Sequence, residues 1–343
     1  MLFLVALLAA STAAGWQGQQ PRLAARGDQV FLTFARDNTI QVLRSTDGGQ
    51  TFGEPVAVPV TGKMAAGMRR GPRIAATGSA LLVTGVIGAR GGGADGDVLL
   101  YRSTDDGRTW SAPVTINDVA GSAREGMHGM AANAAGTVVV TWLDLREKGT
   151  RIYAAVSRDH GATWSPDTLV YQSPTGSVCE CCHPSAAVSD DDRVAIMFRN
   201  HIGGNRDMYV ARSRSRDAVT FEPAVKLGNG TWALEACPMD GGELALGADE
   251  VTTAWRREDG IFVATPGTPE RRIGTGRDPA MAMAVTGAKV DVAWSGADGL
   301  VLMRGDDSQT LGPGRFPVLL AFERYTLVAW EQQGLVQVRR IPR

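Results

Sequence analysis

The chain has 343 residues, with 35 Lys and Arg against 36 Asp and Glu, for a formal net charge of −1. Acids and bases are interleaved, which excludes the basic footprint of a nucleic-acid-binding protein. The 42 glycines and 6% aromatic residues suit many short strands and tight turns, and 44% hydrophobic residues are ample for a core.

The N-terminus runs from Met1 to Ala10 as a short apolar stretch, followed by the small residues Ser11 to Gly15. This is the pattern of a secretory leader, with cleavage near Ala13 or Ala14. The run is too short to span a bilayer. No Lys or Arg precedes it, and no cysteine follows to carry a lipid. The expectation is a leader over 1–14, a single domain over 15–343, and an exported protein, periplasmic or secreted, with no membrane span.

Internal repeats dominate the rest. Ser45-Thr46-Asp47-Gly48-Gly49-Gln50-Thr51-Phe52 returns as Ser103-Thr104-Asp105-Asp106-Gly107-Arg108-Thr109-Trp110 and as Ser157-Arg158-Asp159-His160-Gly161-Ala162-Thr163-Trp164. A degenerate copy ends at Thr220-Phe221. In such a unit the Asp accepts from turn amides, the Gly takes the left-handed position and the aromatic ring packs onto the sheet. The turns lie near 45–52, 103–110 and 157–164.

A strand pair recurs around these turns, opening at a proline or its equivalent and closing on an apolar, usually aromatic, residue. The copies are Pro21 to Phe34, Pro72 to Ile87, Gly129 to Trp142, Pro184 to Phe198, Pro238 to Trp255, Pro279 to Trp294 and Pro317 to Trp330. A third strand follows, as at Thr39 to Arg44, Asp97 to Arg102, Arg151 to Val156 and Asp207 to Arg212. The later units have about 40 residues, the length of one propeller blade. The pattern predicts an all-β fold, a β-propeller of seven four-stranded blades. The last copy stops after its third strand, Leu335 to Arg340, so the chain from Trp16 to Gln20 is expected to supply the missing outer strand.

The Ser-x-Asp-x-Gly-x-Thr-Trp turns resemble the Asp-box, or bacterial neuraminidase repeat, of the sialidase-like superfamily, from about residue 21 to the end. The resemblance implies the propeller, with a six-bladed sialidase-type ring as the alternative. It also implies an active face at the loops that feed the inner strands. One residue before the proline slot stand Gln20, Gly71, His128, His183, Cys237, Asp278 and Phe316. Two before it stand Arg70, Arg277 and Arg315 in the second, sixth and seventh copies. By this resemblance Arg70, Arg277 and Arg315 would clamp a carboxylate and Asp278 would serve as acid or base. Arg73, in an imperfect copy of the family's Arg-Ile-Pro motif, and the neighbouring Glu235 and Asp240 would bind substrate. A Tyr nucleophile is lacking, because Tyr101, Tyr153 and Tyr209 fall in third strands and Tyr171 alone in a feeding loop.

The stretch Ser177-Val178-Cys179-Glu180-Cys181-Cys182-His183-Pro184 holds three of the four cysteines; the fourth is Cys237. Three readings stand side by side. Cys179, Cys181, Cys182, His183, Cys237, His128 and Met239 form a soft donor set for copper or zinc. The four cysteines instead pair as disulfides, with Cys179–Cys182 and Cys181–Cys237 one arrangement. Cys179-x-x-Cys182-His183 also matches c-type haem attachment, with Met239 or His128 as distal ligand. The function that follows is a metal-bearing binding or redox propeller. The alternatives are a sialidase-type glycoside hydrolase acting on a small-molecule or glycan ligand, and an inert interaction propeller with stapled loops. Nothing in the chain specifies an oligomeric state.

Overall fold

A computed structural model of the chain describes residues 15–216, 220–247, 250–283 and 290–343. The expected leader lies outside these residues, and the degenerate fourth turn lies partly outside them. Among the described residues there are seven antiparallel sheets and no α-helix. Among the described residues no helix is long and apolar enough to cross a membrane.

The first blade runs Gln19–Arg26, Gln29–Arg36, Thr39–Ser45 and Val56–Val58. The third, fourth, fifth and sixth open with His128–Ala132, Ser185–Val188, Glu243–Leu246 and Arg277–Met283. Each is a four-stranded meander, in which strands consecutive in the chain are neighbours in the sheet. The second blade, opening with Arg73–Ala76, carries an additional strand, Lys63–Met64, beside Leu81–Gly88. In the seventh, Arg315–Ala321, Tyr325–Gln332 and Leu335–Pro342 are joined by Trp16–Gln17. Trp16 pairs with Val336 and Gln17 with Leu335, so the start of the described chain closes the ring. The ring has seven blades, and the six-bladed alternative is set aside.

Packing between blades explains the sequence of the second strands. Val138–Asp144 is buried along its whole length, because a neighbouring blade covers each face. Its run of apolar residues is therefore continuous rather than alternating. Phe31, Ile40 and Val42 of the first blade pack with Ile74, Leu81 and Tyr101 of the second. Ile152 and Val156 of the third pack with Val194 and Phe198 of the fourth.

The Asp-box turns lock this arrangement from outside. Ser45, Ser103 and Ser157 donate from Oγ to Asp47, Asp105 and Asp159 at 2.7, 2.7 and 2.8 Å. Thr51, Thr109 and Thr163 donate to the second oxygen of the same carboxylates, each at 2.6 Å. Gly161 has φ 79°, and a Cβ there would stand 2.6 Å from Leu82 Cδ2 of the preceding blade. Glycine is thus required both by the turn and by the close approach.

Register sharpens the position of the feeding loops. Gln20, Asp278 and Phe316 share φ near 55°, at 57, 56 and 53°, each just before a proline. After this common bulge Arg22, Ala280 and Val318 begin regular pairing with the residue preceding the strand's aromatic. The equivalent residue in the fifth blade is Glu243, opposite Ala254. The inner strand there begins at Glu243 rather than at the expected Pro238. Gly241 and Gly242, not Cys237, therefore immediately precede the shared start.

Candidate functional site at the channel mouth

Two neighbouring features occupy the loops that feed the inner strands. The first is a sulfur cluster on the loop before the fourth blade. Val178 N–H donates to Thr150 O and Cys179 N–H to Arg199 O, both at 3.0 Å, which ties the loop to the strands beside it. The chain then turns through Glu180 and Cys181 and folds back. Cys179 Sγ lies 3.1 Å from Cys182 Sγ and 3.7 Å from Cys181 Sγ. Cys181 is joined to Cys237 by a disulfide, while Cys179 and Cys182 are free and buried. Of the arrangement weighed from sequence, the Cys181–Cys237 bridge is present, and the other two sulfurs touch without a bond.

The three sulfurs of Cys179, Cys181 and Cys182 lie within 4.8 Å of one another. Among the described residues no imidazole or carboxylate joins that set. Met239 packs against it. Arg206 Nη1 donates to Cys179 Sγ at 3.2 Å. The hydrogen bond shared with Cys182, with Arg199 and Arg206 nearby, brings the Cys179 thiol down to about 6 despite its burial. Burial and the adjoining Cys179 push Cys182 the other way.

The second feature is the channel. A cavity of about 150 Å³ lies on the axis and touches the inner strand of every blade. Arg22, Arg73, His183, Ser185 and Glu243 line its polar side; Ala280, Val318 and Leu319 line the apolar side. Arg22 Nη1 stands 3.4 Å from Glu243 Oε1. Arg73 is buried and donates only to the carbonyls of Arg69, Gly71 and Pro72. Burial, with Arg22 beside it, depresses its pKa. His183 Nε2 lies 3.7 Å from Glu243 Oε1, beyond hydrogen-bond distance. Burial holds His183 near 4, so it is neutral at pH 7. Burial alone would raise Glu243, but His183 and Arg22 keep it at about 2. Neither nitrogen of His183 nor Ser185 Oγ has a hydrogen-bond partner.

The remaining expected residues scatter around this mouth. Arg70 is held by Glu125, with Nε donating to its carbonyl at 2.5 Å. Arg277 and Arg315 have largely exposed side chains, 3.7 Å from Asp278 and Glu331 respectively. Asp278 and Asp240 are buried together, the Asp278 N–H donating to Asp240 Oδ2 at 3.2 Å. Arg69 stands 3.4 Å from Asp278, and Arg256 stands 2.9 Å from Asp240. Burial and Asp278 raise the Asp240 carboxyl. Glu235 and Cys237 are exposed. His128 is buried, its Nε2 3.0 Å from Thr84 Oγ1, and lies outside the sulfur set. Tyr171 belongs to the strand Thr168–Tyr171 and packs against Phe198 with the rings tilted, so it is a packing residue rather than part of a feeding loop.

Arg22, Arg69, Ser185, Arg206 and Glu243 were not singled out from sequence. The signal for Arg22 was present: it directly follows Pro21, as Arg73 follows Pro72. Arg69 carries no such mark. It follows Met68 in a loop where both take left-handed backbone, at φ 50 and 69°.

The fold and its turns define a class, the seven-bladed β-propeller with Asp-box hairpins. Residues 68–246 match the model of the BNR repeat-like domain, and the chain belongs to that family. No curated protein matches it in sequence. An α-L-arabinanase of Penicillium chrysogenum, solved with arabinobiose, has TM-score 0.59 at 15% identity, covering 95% of this chain and 93% of that one. A protein of unknown function from Dyadobacter fermentans has TM-score 0.56 at 16% identity, with 94% of each chain covered. An α-L-arabinofuranosidase of Fusarium graminearum, solved with an iminosugar inhibitor, has TM-score 0.55 at 12% identity, covering 94% and 93%. At these identities the likeness is one of fold.

Proposed function

We propose that this propeller binds a soft metal ion, copper(I) first and zinc second, through Cys179 and Cys182, with Cys181 and Cys237 joining once their disulfide is reduced. The observation that carries the reading is the contact of three sulfurs in a buried loop, with the Met239 thioether packed beside them. Thiolate and thioether donors favour copper(I), and a set of four thiolates also suits zinc. Arg206 offsets part of the negative charge that the thiolates would bring. The haem reading is weaker here. Haem attachment would consume Cys179 and Cys182 and would need the buried His183 ring as a ligand, but His183 faces the channel cavity. Export through the leader in residues 1–14 belongs to the same proposal, and N-terminal sequencing of the protein from its native compartment tests it.

The decisive experiment is elemental analysis with a visible spectrum on protein purified anaerobically with its disulfide reduced. About one copper per chain, lost in Cys179→Ser and Cys182→Ser, is the expected result. Reduced protein that retains neither copper nor zinc at equimolar supply overturns the proposal, and a Soret band would replace it with haem.

A second reading rests on the channel cavity. Arg73 offers a buried guanidinium bonded to backbone carbonyls and to no carboxylate, in the same cavity as the unpaired Ser185 hydroxyl. Guanidinium forks match carboxylates. A glycan bearing a carboxylate is the ligand this wall suits, and the fold is shared with proteins solved with arabinobiose or an iminosugar inhibitor. Hydrolysis would need a placed acid and base, yet Asp240 and Asp278 are buried in ion pairs. Calorimetry with a sialoside, a uronic acid and arabinobiose tests this reading, and absence of binding by all three removes it.

A further inference from the structure

We infer that the four cysteines form a disulfide relay, in which one disulfide moves between an outer pair, Cys181–Cys237, and an inner pair, Cys179–Cys182. This deepens the reading of the sulfur cluster as the functional site, and rests on it. Three observations carry the inference. First, the outer pair opens to solvent at Cys237, which is exposed, while Cys181 is buried. Second, Cys179 Sγ lies 3.7 Å from Cys181 Sγ, and Cys182 Sγ lies 3.1 Å from Cys179 Sγ, so the three sulfurs form a compact triangle joined to Cys237 through Cys181, each within reach of the next. Third, Cys179 and Cys182 are spaced as Cys-x-x-Cys, the spacing of exchangeable dithiols. Arg206 Nη1, at 3.2 Å from Cys179 Sγ, holds positive charge beside the attacking sulfur.

The exchange balances without an external oxidant. The Cys179 thiolate attacks Cys181 Sγ; the Cys179–Cys181 bond forms, the Cys181–Cys237 bond breaks, and Cys237 leaves as a thiolate that takes up a proton from solvent. Cys182, having lost its proton, then attacks Cys179 Sγ. The Cys179–Cys182 bond forms, the Cys179–Cys181 bond breaks, and Cys181 leaves as the thiolate. One disulfide and two thiols are present before and after. A thiol-bearing partner, small or protein, meets the exposed Cys237 end, so the oxidising equivalent stored inside can be passed outward. In the same step the inner pair loses the thiolates proposed to hold metal, so the position of the disulfide sets whether metal is held.

Peptide mapping reads the relay directly. Trypsin cleaves after Arg158, Arg193, Lys226 and Arg256, so the three clustered cysteines fall in one peptide and Cys237 in another. The outer disulfide cross-links two peptides, and the inner disulfide closes within one. Full-length protein would be equilibrated in glutathione redox buffers, quenched in acid, alkylated and digested. The expected result is that at least about one chain in ten carries the inner disulfide, a free-energy gap of about 1.4 kcal/mol or less between the two positions. Cys179→Ser is expected to leave only the cross-linked form, and that cross-link itself reports a folded variant. If Cys181–Cys237 is the sole disulfide at every buffer ratio, with Cys179 and Cys182 always alkylated, the relay is wrong and the bridge is a fixed staple. The metal reading stands or falls separately, on metal content of the fully reduced protein.

Discussion

The outer rim and the channel mouth of this propeller are built on opposite rules. At the rim, three Asp-box turns repeat the same bonds within 0.1 Å, and each carboxylate is surrounded by donors. At the mouth, the seven positions differ from blade to blade, and buried polar atoms of His183 and Ser185 lack hydrogen-bond partners. Satisfied, repeated chemistry makes a frame. Unsatisfied, unrepeated chemistry costs stability, and such groups concentrate where ligands bind.

Substitutions at the two regions should therefore separate stability from metal binding. The largest effect is expected from Cys179→Ser, which lowers copper(I) affinity by about a hundredfold or more in competition with a chelator, with little change in unfolding midpoint. Equal metal affinity in this variant and the parent would break the comparison. Gly161→Ala comes next. Its Cβ would press on the flexible end of Leu82 from a left-handed backbone, at an expected cost of about 2.5 kcal/mol in urea unfolding. Asp159→Ala removes the acceptor shared by Ser157 and Thr163, at about 2 kcal/mol. Neither rim variant is expected to alter metal content.

The smallest effect concerns acid. Burial would raise Glu270, but Arg257 and the amides of Asn229 and Gly230 bring it down to about 2. Its unfolded value is higher, so the unfolded chain binds the extra proton between about 4.5 and 2. Glu270 therefore contributes stability above about 4.5, and the contribution is lost as pH falls towards 2. Glu270→Gln should cost about 1 kcal/mol at pH 7 and nothing near pH 2, measured as unfolding midpoint against pH.

Much of the frame was legible because it is local. Ser103, Asp105, Gly107 and Trp110 specify one hairpin by themselves, and three such hairpins at blade spacing imply a ring. The clasp was legible too, since Leu335 to Arg340 left a strand unpaired and Trp16 stood free to fill it. The fifth blade misled because Pro238 mimics the proline that opens other inner strands. There the loop carries four further residues before Glu243, and only pairing with Ala254 shows it.

By itself, the sequence determined the all-β repeat, its Asp-box turns and the address of the cysteine loop. These depend on hydrogen bonds and periodicities that span fewer residues than one blade. Only the tertiary structure decided which sulfurs meet. Cys181 and Cys237 are 56 residues apart, and blade packing, not spacing, brings them to one bond. It also decided that Arg22, Arg73 and Glu243 share a channel while Arg277 and Arg315 stay largely exposed outside it. A propeller's centre is assembled from all its blades at once, so its chemistry is set by closure of the ring.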